Sequence, residues 1–199
     1  MSDNNSTVID DKISSVFHLN NGHLHLMVHW AGKGSSIVFC LARDQVFSYF
    51  PPFIFSICLS QEINENSTSN VYISKDYGTT FLDVSSKFKL RNNKNATINK
   101  FFHHPINNCY YVFTDILHKH IFVTLDCGDT ISTYPTLFSP KHLEFDTKYD
   151  GRFLVHDRDS EKKELYVTKN FGETFSHAGD FIKAFFWDHR EVRTQNKKI

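Results

Sequence analysis

Ser74-Lys75-Asp76-Tyr77-Gly78-Thr79-Thr80-Phe81 decides the fold, because the same pattern returns twice further along the chain. Thr124-Leu125-Asp126-Cys127-Gly128-Asp129-Thr130-Ile131 and Thr168-Lys169-Asn170-Phe171-Gly172-Glu173-Thr174-Phe175 share its order: Ser/Thr, any, Asp/Asn, any, Gly, any, Thr, aromatic or aliphatic. The three Asp/Asn positions lie 50 and 44 residues apart. Internal periods of about 40–50 residues are those of propeller blades with four strands each. The turn is an Asp-box. Its Asp or Asn side chain can accept bonds from backbone N–H groups two residues on. Its Gly takes a positive φ at low steric cost, and its leading hydroxyl adds a local bond. The final Phe81, Ile131 or Phe175 opens the next strand and is expected to plug the blade core. The expected role is therefore structural for Ser74, Asp76, Gly78, Thr80 and Phe81, for Thr124, Asp126, Gly128 and Thr130, and for Thr168, Asn170, Gly172, Thr174 and Phe175. Asp76 and Asp126 do not read as a catalytic carboxylate pair, because separate blades would hold them far apart. No catalytic residue is expected.

Apolar runs precede each box: residues 70–73, 120–123 and 164–167. Further strands are expected at 25–29, 36–41, 109–114 and 152–155, with turns at 32–34, 105–108 and 149–151. Each unit then reads as strand, hairpin, strand, strand, Asp-box, strand. Phe185-Phe186-Trp187 reads as the opening of a fourth unit. The fold class is all-β, a partial β-propeller of about three four-stranded blades. Composition agrees: Phe is frequent, at 20 residues with eight Tyr, and aromatic residues favour strands.

Lys+Arg and Asp+Glu are equal at 22 each, so no basic excess points to nucleic acid. The amino terminus lacks a charged stretch followed by an apolar core and does not read as a secretory signal. No run of about 20 apolar residues exists, so no membrane span is expected in this chain. Cys40, Cys58, Cys109 and Cys127 form no C-x-x-C pair. Four cysteines allow three full pairings, and the simplest expectation is four free, mostly buried thiols. Sequons stand at Asn4, Asn5, Asn66 and Asn95; Asn66 and Asn95 are the glycosylation candidates if the chain enters the secretory pathway.

The strings Val28-His29-Trp30-Ala31-Gly32 and Leu41-Ala42-Arg43-Asp44 resemble the amino-terminal propeller of the sortilin family. So do Asn70-Val71-Tyr72-Ile73-Ser74-Lys75-Asp76-Tyr77-Gly78, Phe102-His103-His104-Pro105 and Lys183-Ala184-Phe185-Phe186-Trp187, in the same order with similar gaps. The resemblance runs from about Val16 to Trp187. It implies a ten-bladed parent propeller in the Golgi or endosome lumen or at the cell surface, carried by a membrane-anchored receptor. It also implies peptide, propeptide or protein ligands bound in or near the propeller tunnel, no cofactor and no enzyme activity. The ligand-anchoring residues of the family lie in later blades, so none is carried onto this chain. The expected organisation is a disordered segment 1–15, a partial sortilin-type propeller 16–188 with an atypical insertion at 46–68, and a disordered basic tail 189–199. Residues 46–59 are mostly apolar where the family has a short polar connection. They admit two readings: translated non-coding sequence, or a sticky loop that contacts a membrane or partner. The tail and the missing signal sequence point to a truncated product, and three open blades are expected to be aggregation-prone.

Other constellations are weaker. His23, His25 and His29 look like metal ligands; His23 and His25 are two apart and share a strand face, but no third ligand of suitable spacing follows and His29 beside Trp30 reads as packing, so no metal is expected. His103-His104, His118 and His120 read as turn and strand-surface residues. Twelve histidines would gain charge on acidification and could release cargo. The rival function is an Asp-box glycosidase of the sialidase type, which needs clustered arginines and a carboxylic acid. Only Arg43, Arg91, Arg152, Arg158, Arg190 and Arg193 exist, and no Phe/Tyr-Arg-Ile-Pro string accompanies them.

Overall fold

A computed structural model describes residues 25–32, 34–43 and 68–188. Twelve strands form three four-stranded antiparallel sheets. The first sheet holds β1 (His25–Trp30), β2 (Val38–Arg43), β3 (Ser69–Ser74) and β4 (Leu82–Asp83). The second holds β5 (Lys100–His103), β6 (Tyr111–Asp115), β7 (His120–Thr124) and β8 (Ser132–Pro135). The third holds β9 (His142–Phe145), β10 (Phe153–Asp157), β11 (Glu164–Thr168) and β12 (Ser176–Gly179). Each sheet is a meander whose spatial order follows the chain, and an Asp-box joins its third strand to its fourth. The described residues contain one 3-10 turn, Ser85–Lys87, and no α-helix. None of their helices is long and apolar enough to cross a membrane.

The core lies between sheets. Phe39, Leu41, Val71 and Ile73 of the first sheet meet Phe88, Phe101, Tyr111, Phe113 and Phe122 of the second unit. On the other face of the second sheet, Tyr110, Val112, Ile121 and Val123 meet Leu143, Phe145, Phe153 and Val155 of the third. The second strands β2, β6 and β10 are buried along their whole length, because one side of each middle strand faces one blade and the other side faces the next. Aromatic pairs stitch these interfaces. The Phe88 and Phe113 rings meet edge to face at 4.8 Å, and Phe138 stacks on Tyr166 at 3.9 Å. Such pairs add about 0.5–1.5 kcal/mol each beyond their buried area, which gives the abundant Phe its work.

Several strand expectations shift; the one placed at 36–41, for instance, runs as Val38–Arg43. Residues 109–114 were expected as one strand, but β6 begins only at Tyr111, because the Asn107 carbonyl and amide side chain hold the backbone N–H groups of Tyr110 and Cys109 in a turn. Phe185-Phe186-Trp187 was expected to open a fourth blade and forms no strand. It is nevertheless docked on the third sheet: Trp187 Nε1 donates to the Glu144 carbonyl at 3.1 Å, and Phe185 packs edge-on against His142 and His156.

Candidate functional site

The three Asp-boxes share one bonding scheme. In the first, the Gly78 N–H donates to Ser74 Oγ at 2.8 Å, and the Thr80 N–H and hydroxyl donate to the two Asp76 carboxylate oxygens at 2.9 and 2.6 Å. In the second, Gly128 N–H donates to Thr124 Oγ1 at 2.8 Å, and Thr130 donates twice to Asp126. In the third, Gly172 N–H donates to Thr168 Oγ1 at 3.0 Å, and Thr174 N–H donates to Asn170 Oδ1 at 3.1 Å. The Asp or Asn side chain thus reaches a residue four positions on, where the sequence pattern predicts two. Hydrogen bonds from Thr80 and Ser74 hold the Asp76 carboxyl down at about 2. The residue before each glycine, Tyr77, Cys127 or Phe171, also takes a positive φ. Its N–H donates to Ser36, Cys109 or Gly151 respectively, in the loop ahead of the second strand of its own sheet. Phe81, Ile131 and Phe175 are half-buried and pack against the cores. All the polar capacity of Asp76, Asp126 and Asn170 described here is turned inward on the turn.

A disulfide joins Cys109 to Cys127, so the expectation of four free thiols is corrected. It ties the second Asp-box to the turn that its own Cys127 N–H already bonds. Cys40 is a free buried thiol that burial pushes up to about 11, and Cys58 lies outside the described residues. A second repeated device escapes the sequence reading. Asp115 and Asp157 end β6 and β10 as buried carboxylates. Asp115 accepts from the Thr97 and His118 N–H groups, and Asp157 accepts from those of Ser139 and Ser160. At the same place in the first sheet, Arg43 donates to the Asn99 carbonyl at 2.9 Å. The available signal was an Asp one turn-length before each hairpin, spaced like the boxes.

The first strands β1, β5 and β9 together line a groove of about 540 Å³. Its walls include Val28 and His29, Phe102 and His103, and Glu144 and Phe145. The His29 and His103 rings lie 4.7 Å apart, and Tyr111 lies 4.7 Å from His103. Nε2 of both imidazoles and the Tyr111 hydroxyl are buried without a hydrogen-bond partner. Burial first, then the neighbouring His29 and His104, push His103 down to about 4; burial also lowers His29. His103 therefore stays neutral from pH 7.4 to 5.5, and a general histidine-charging switch does not include it.

The remaining candidates are dispersed. His25 Nδ1 accepts from Arg43 Nε at 3.3 Å, and His23 lies outside the described residues. His104, expected at a turn surface, is fully buried, and its Nδ1 accepts from the Asn107 N–H at 3.0 Å. His118 pairs with Asp115 at 2.7 Å. Glu164, His177 and Asp180 bring potential ligand atoms within 4.8 Å of one another, a grouping across β11 and β12 that the linear sequence hides. Asn95 is exposed; Asn4, Asn5, Asn66, the insertion at 46–59 and the tail lie outside the described residues. Among the described residues, Arg43 and Arg152 do not converge: Arg43 is buried in the first sheet, and Arg152 sits over the Tyr149 and Trp187 rings.

The family profile described as Sortilin-Vps10 (sortilin, neurotensin receptor 3) matches residues 69–199. The chain belongs to the Sortilin-Vps10 family. A sortilin-related receptor of Mus musculus is 32% identical over 171 residues, covering 85% of this chain and 7% of the relative. Its Homo sapiens counterpart is 31% identical over 178 residues, 88% of this chain and 7% of the relative. The VPS10 domain-containing receptor SorCS1 of Mus musculus is 23% identical over 84% of this chain and 13% of the relative. The chain thus spans about 7% of the length of the sortilin-related receptors it matches. Among solved structures, YCF48 bound to D1 peptide aligns at a TM-score of 0.41 and 15% identity, over 55% of this chain and 33% of that one. An ancestral GH74 enzyme aligns at 0.43 and 12%, over 75% and 18%.

Proposed function

We propose that this chain is a ligand-binding portion of a sortilin-type sorting or endocytic receptor, working in Golgi–endosome trafficking. What supports the reading is its 32% identity to a sortilin-related receptor over 85% of its length. The groove across β1, β5 and β9 gives it a place for peptide, propeptide or protein ligands, with apolar walls and a few polar groups, as ligand sites usually have. The parent protein is membrane-anchored, and this part of it faces the Golgi or endosome lumen or the cell exterior. Residues 16–188 act as one propeller segment with an insertion at 46–68, flanked by 1–15 and 189–199. Asn66 and Asn95 carry glycans in that compartment. The Asp-box residues serve folding, and the chain is not an enzyme.

The test is saturable binding of propeptide-derived peptides to the immobilised chain by biolayer interferometry. Val28 lines the groove and is 58% exposed, so Val28→Glu should weaken binding without unfolding the sheet. Absence of saturable binding to any peptide, with the fold intact by circular dichroism, would sink the reading.

A further inference from the structure

A second cleft, sharing no lining residue with the groove, lies between the third sheet and the segment that follows β12. It is larger, at about 830 Å³. Lys100 opens β5, Lys141 precedes β9, Arg158 and Lys163 belong to the β10–β11 hairpin, and Lys183 comes from the terminal segment. Four different stretches of chain therefore deliver cations to one cavity, in a protein whose overall charge is zero.

The neutralising groups are few. Asp159 lines the cleft and pairs with Lys141. Asp157 is buried, and its carboxylate is taken up by the Ser139 and Ser160 N–H groups at 2.9 and 3.1 Å. Among the described residues, Lys100, Arg158, Lys163 and Lys183 form no ion pair. Burial lowers Lys141, and the charges of Lys100 and Arg158 lower it further against the pull of Asp157. An arrangement that crowds more cations than the nearby carboxylates can neutralise is stabilised by an anion.

The floor of the cleft adds a second, independent sign. His156 lines it, is only 6% exposed, and keeps Nε2 buried without a partner. A buried imidazole nitrogen left unsatisfied costs about 1–3 kcal/mol, so a ligand oxygen or N–H placed there recovers a bond. The wall beside it is apolar: Phe185 stands 5.4 Å from the His156 ring and 5.6 Å from His142.

We propose that this cleft binds an acidic peptide segment, with its carboxylates on Lys100, Lys141, Arg158 and Lys183 and an apolar side chain against Phe185. The spread of cations over several elements suits several carboxylates on one backbone better than one small anion, and charge-assisted bonds of this kind are short and strong. The inference rests on the reading that the ligands of this chain are peptides, and it adds their charge.

The probe is a short fluorescent peptide rich in Asp and Glu with two Leu residues, compared with its Asn/Gln counterpart by anisotropy on the full chain. The acidic peptide should bind at least about tenfold more tightly, and its advantage should shrink as salt rises from about 50 to 300 mM. Lys100 and Arg158 are exposed, so a Lys100→Glu/Arg158→Glu variant should fold and lose about tenfold in acidic-peptide affinity, while Leu82→Ser, at an exposed position of the first sheet outside both cavities, leaves that affinity unchanged. Equal binding of both peptides overturns the cleft assignment and leaves the peptide-receptor reading standing. An acidic-peptide affinity that survives the charge reversal also overturns it. So does binding of a heparin oligosaccharide to the cleft with no acidic-peptide binding. Failure of every peptide, acidic or neutral, overturns both.

Discussion

Replacing Gly172 with Ala separates backbone strain from packing at the Asp-box. Gly172 has φ +90°, and an added Cβ would overlap Ile121 Cδ1 and stand 3.1 Å from Phe153 Cζ. Ile121 and Phe153 are both fully buried between the second and third sheets, so neither has room to retreat. Gly78 provides the internal control. Its φ is +86°, but the nearest atoms to an added Cβ are those of the Phe81 ring at 3.9 Å. Both substitutions incur the left-handed backbone cost of about 1–2 kcal/mol. Only Gly172→Ala adds overpacking of about 1–3 kcal/mol. The expected losses are therefore about 2–5 kcal/mol for Gly172→Ala and about 1–2 kcal/mol for Gly78→Ala. Gly128→Ala falls between, because Ile73 Cδ1 and Phe39 Cζ lie at 3.2 Å. Urea titrations followed by far-ultraviolet circular dichroism give the losses directly, with the denaturant slope unchanged if only native stability moves. A loss at Gly172 no larger than at Gly78 would refute the reasoning that Ile121 and Phe153 leave no room for a Cβ at Gly172.

Thr124→Val removes the acceptor of the buried Gly128 N–H and should cost about 1–3 kcal/mol by the same titration; a neutral result would mean that the hydroxyl is not needed to close the box. Cutting the Cys109–Cys127 bond, which spans 18 residues, should cost about 2–4 kcal/mol in a double Cys→Ser variant, and non-reducing peptide mapping should find that pair linked. His103 gives the pH dependence: its folded value is about 4 against an ordinary 6.5. The unfolded chain therefore binds the proton first. Its stabilising contribution is complete above about pH 6.5 and is lost as pH falls from there toward 4. Melting temperature should drop across that window, and His103→Phe should flatten the drop; an NMR titration placing His103 near 6.5 would contradict it.

How much of this was readable in the sequence follows from how local each interaction is. The Asp-box is closed by side chains reaching two to four residues, so Ser74, Asp76, Gly78 and Thr80 announce it in a line of text. Strand positions were equally legible, because residues 70–73 and 120–123 are apolar runs bounded by turn formers. What escaped depends on contacts far apart in sequence. The pairing of Cys109 with Cys127 is selected by the N–H···O=C bond that already holds those two residues together, and no spacing rule encodes it. His104 looked like a turn residue beside Pro105, yet it stacks on Tyr110 at 5.0 Å, held there by its N–H donating to the Tyr110 carbonyl and its Nδ1 accepting from the Asn107 N–H. Lys100, Lys141, Arg158 and Lys183 look like ordinary surface charges until four strand ends and loops bring them to one cleft. The docked Phe185 and Trp187 show the reverse case, where an apolar string correctly marks a packed segment but not its secondary structure.

The most direct test of the account is amide hydrogen exchange at the three turns. Gly78, Gly128 and Gly172 N–H each bond a Ser or Thr hydroxyl, and Thr80, Thr130 and Thr174 N–H each bond the box Asp or Asn. If the repeated turn builds the blades, these six amides exchange slowly, in step with the buried strands β2, β6 and β10. Exchange at the rates of an unstructured chain at all three turns, while the strands remain protected, would contradict the claim that the Asp-boxes hold this fold together.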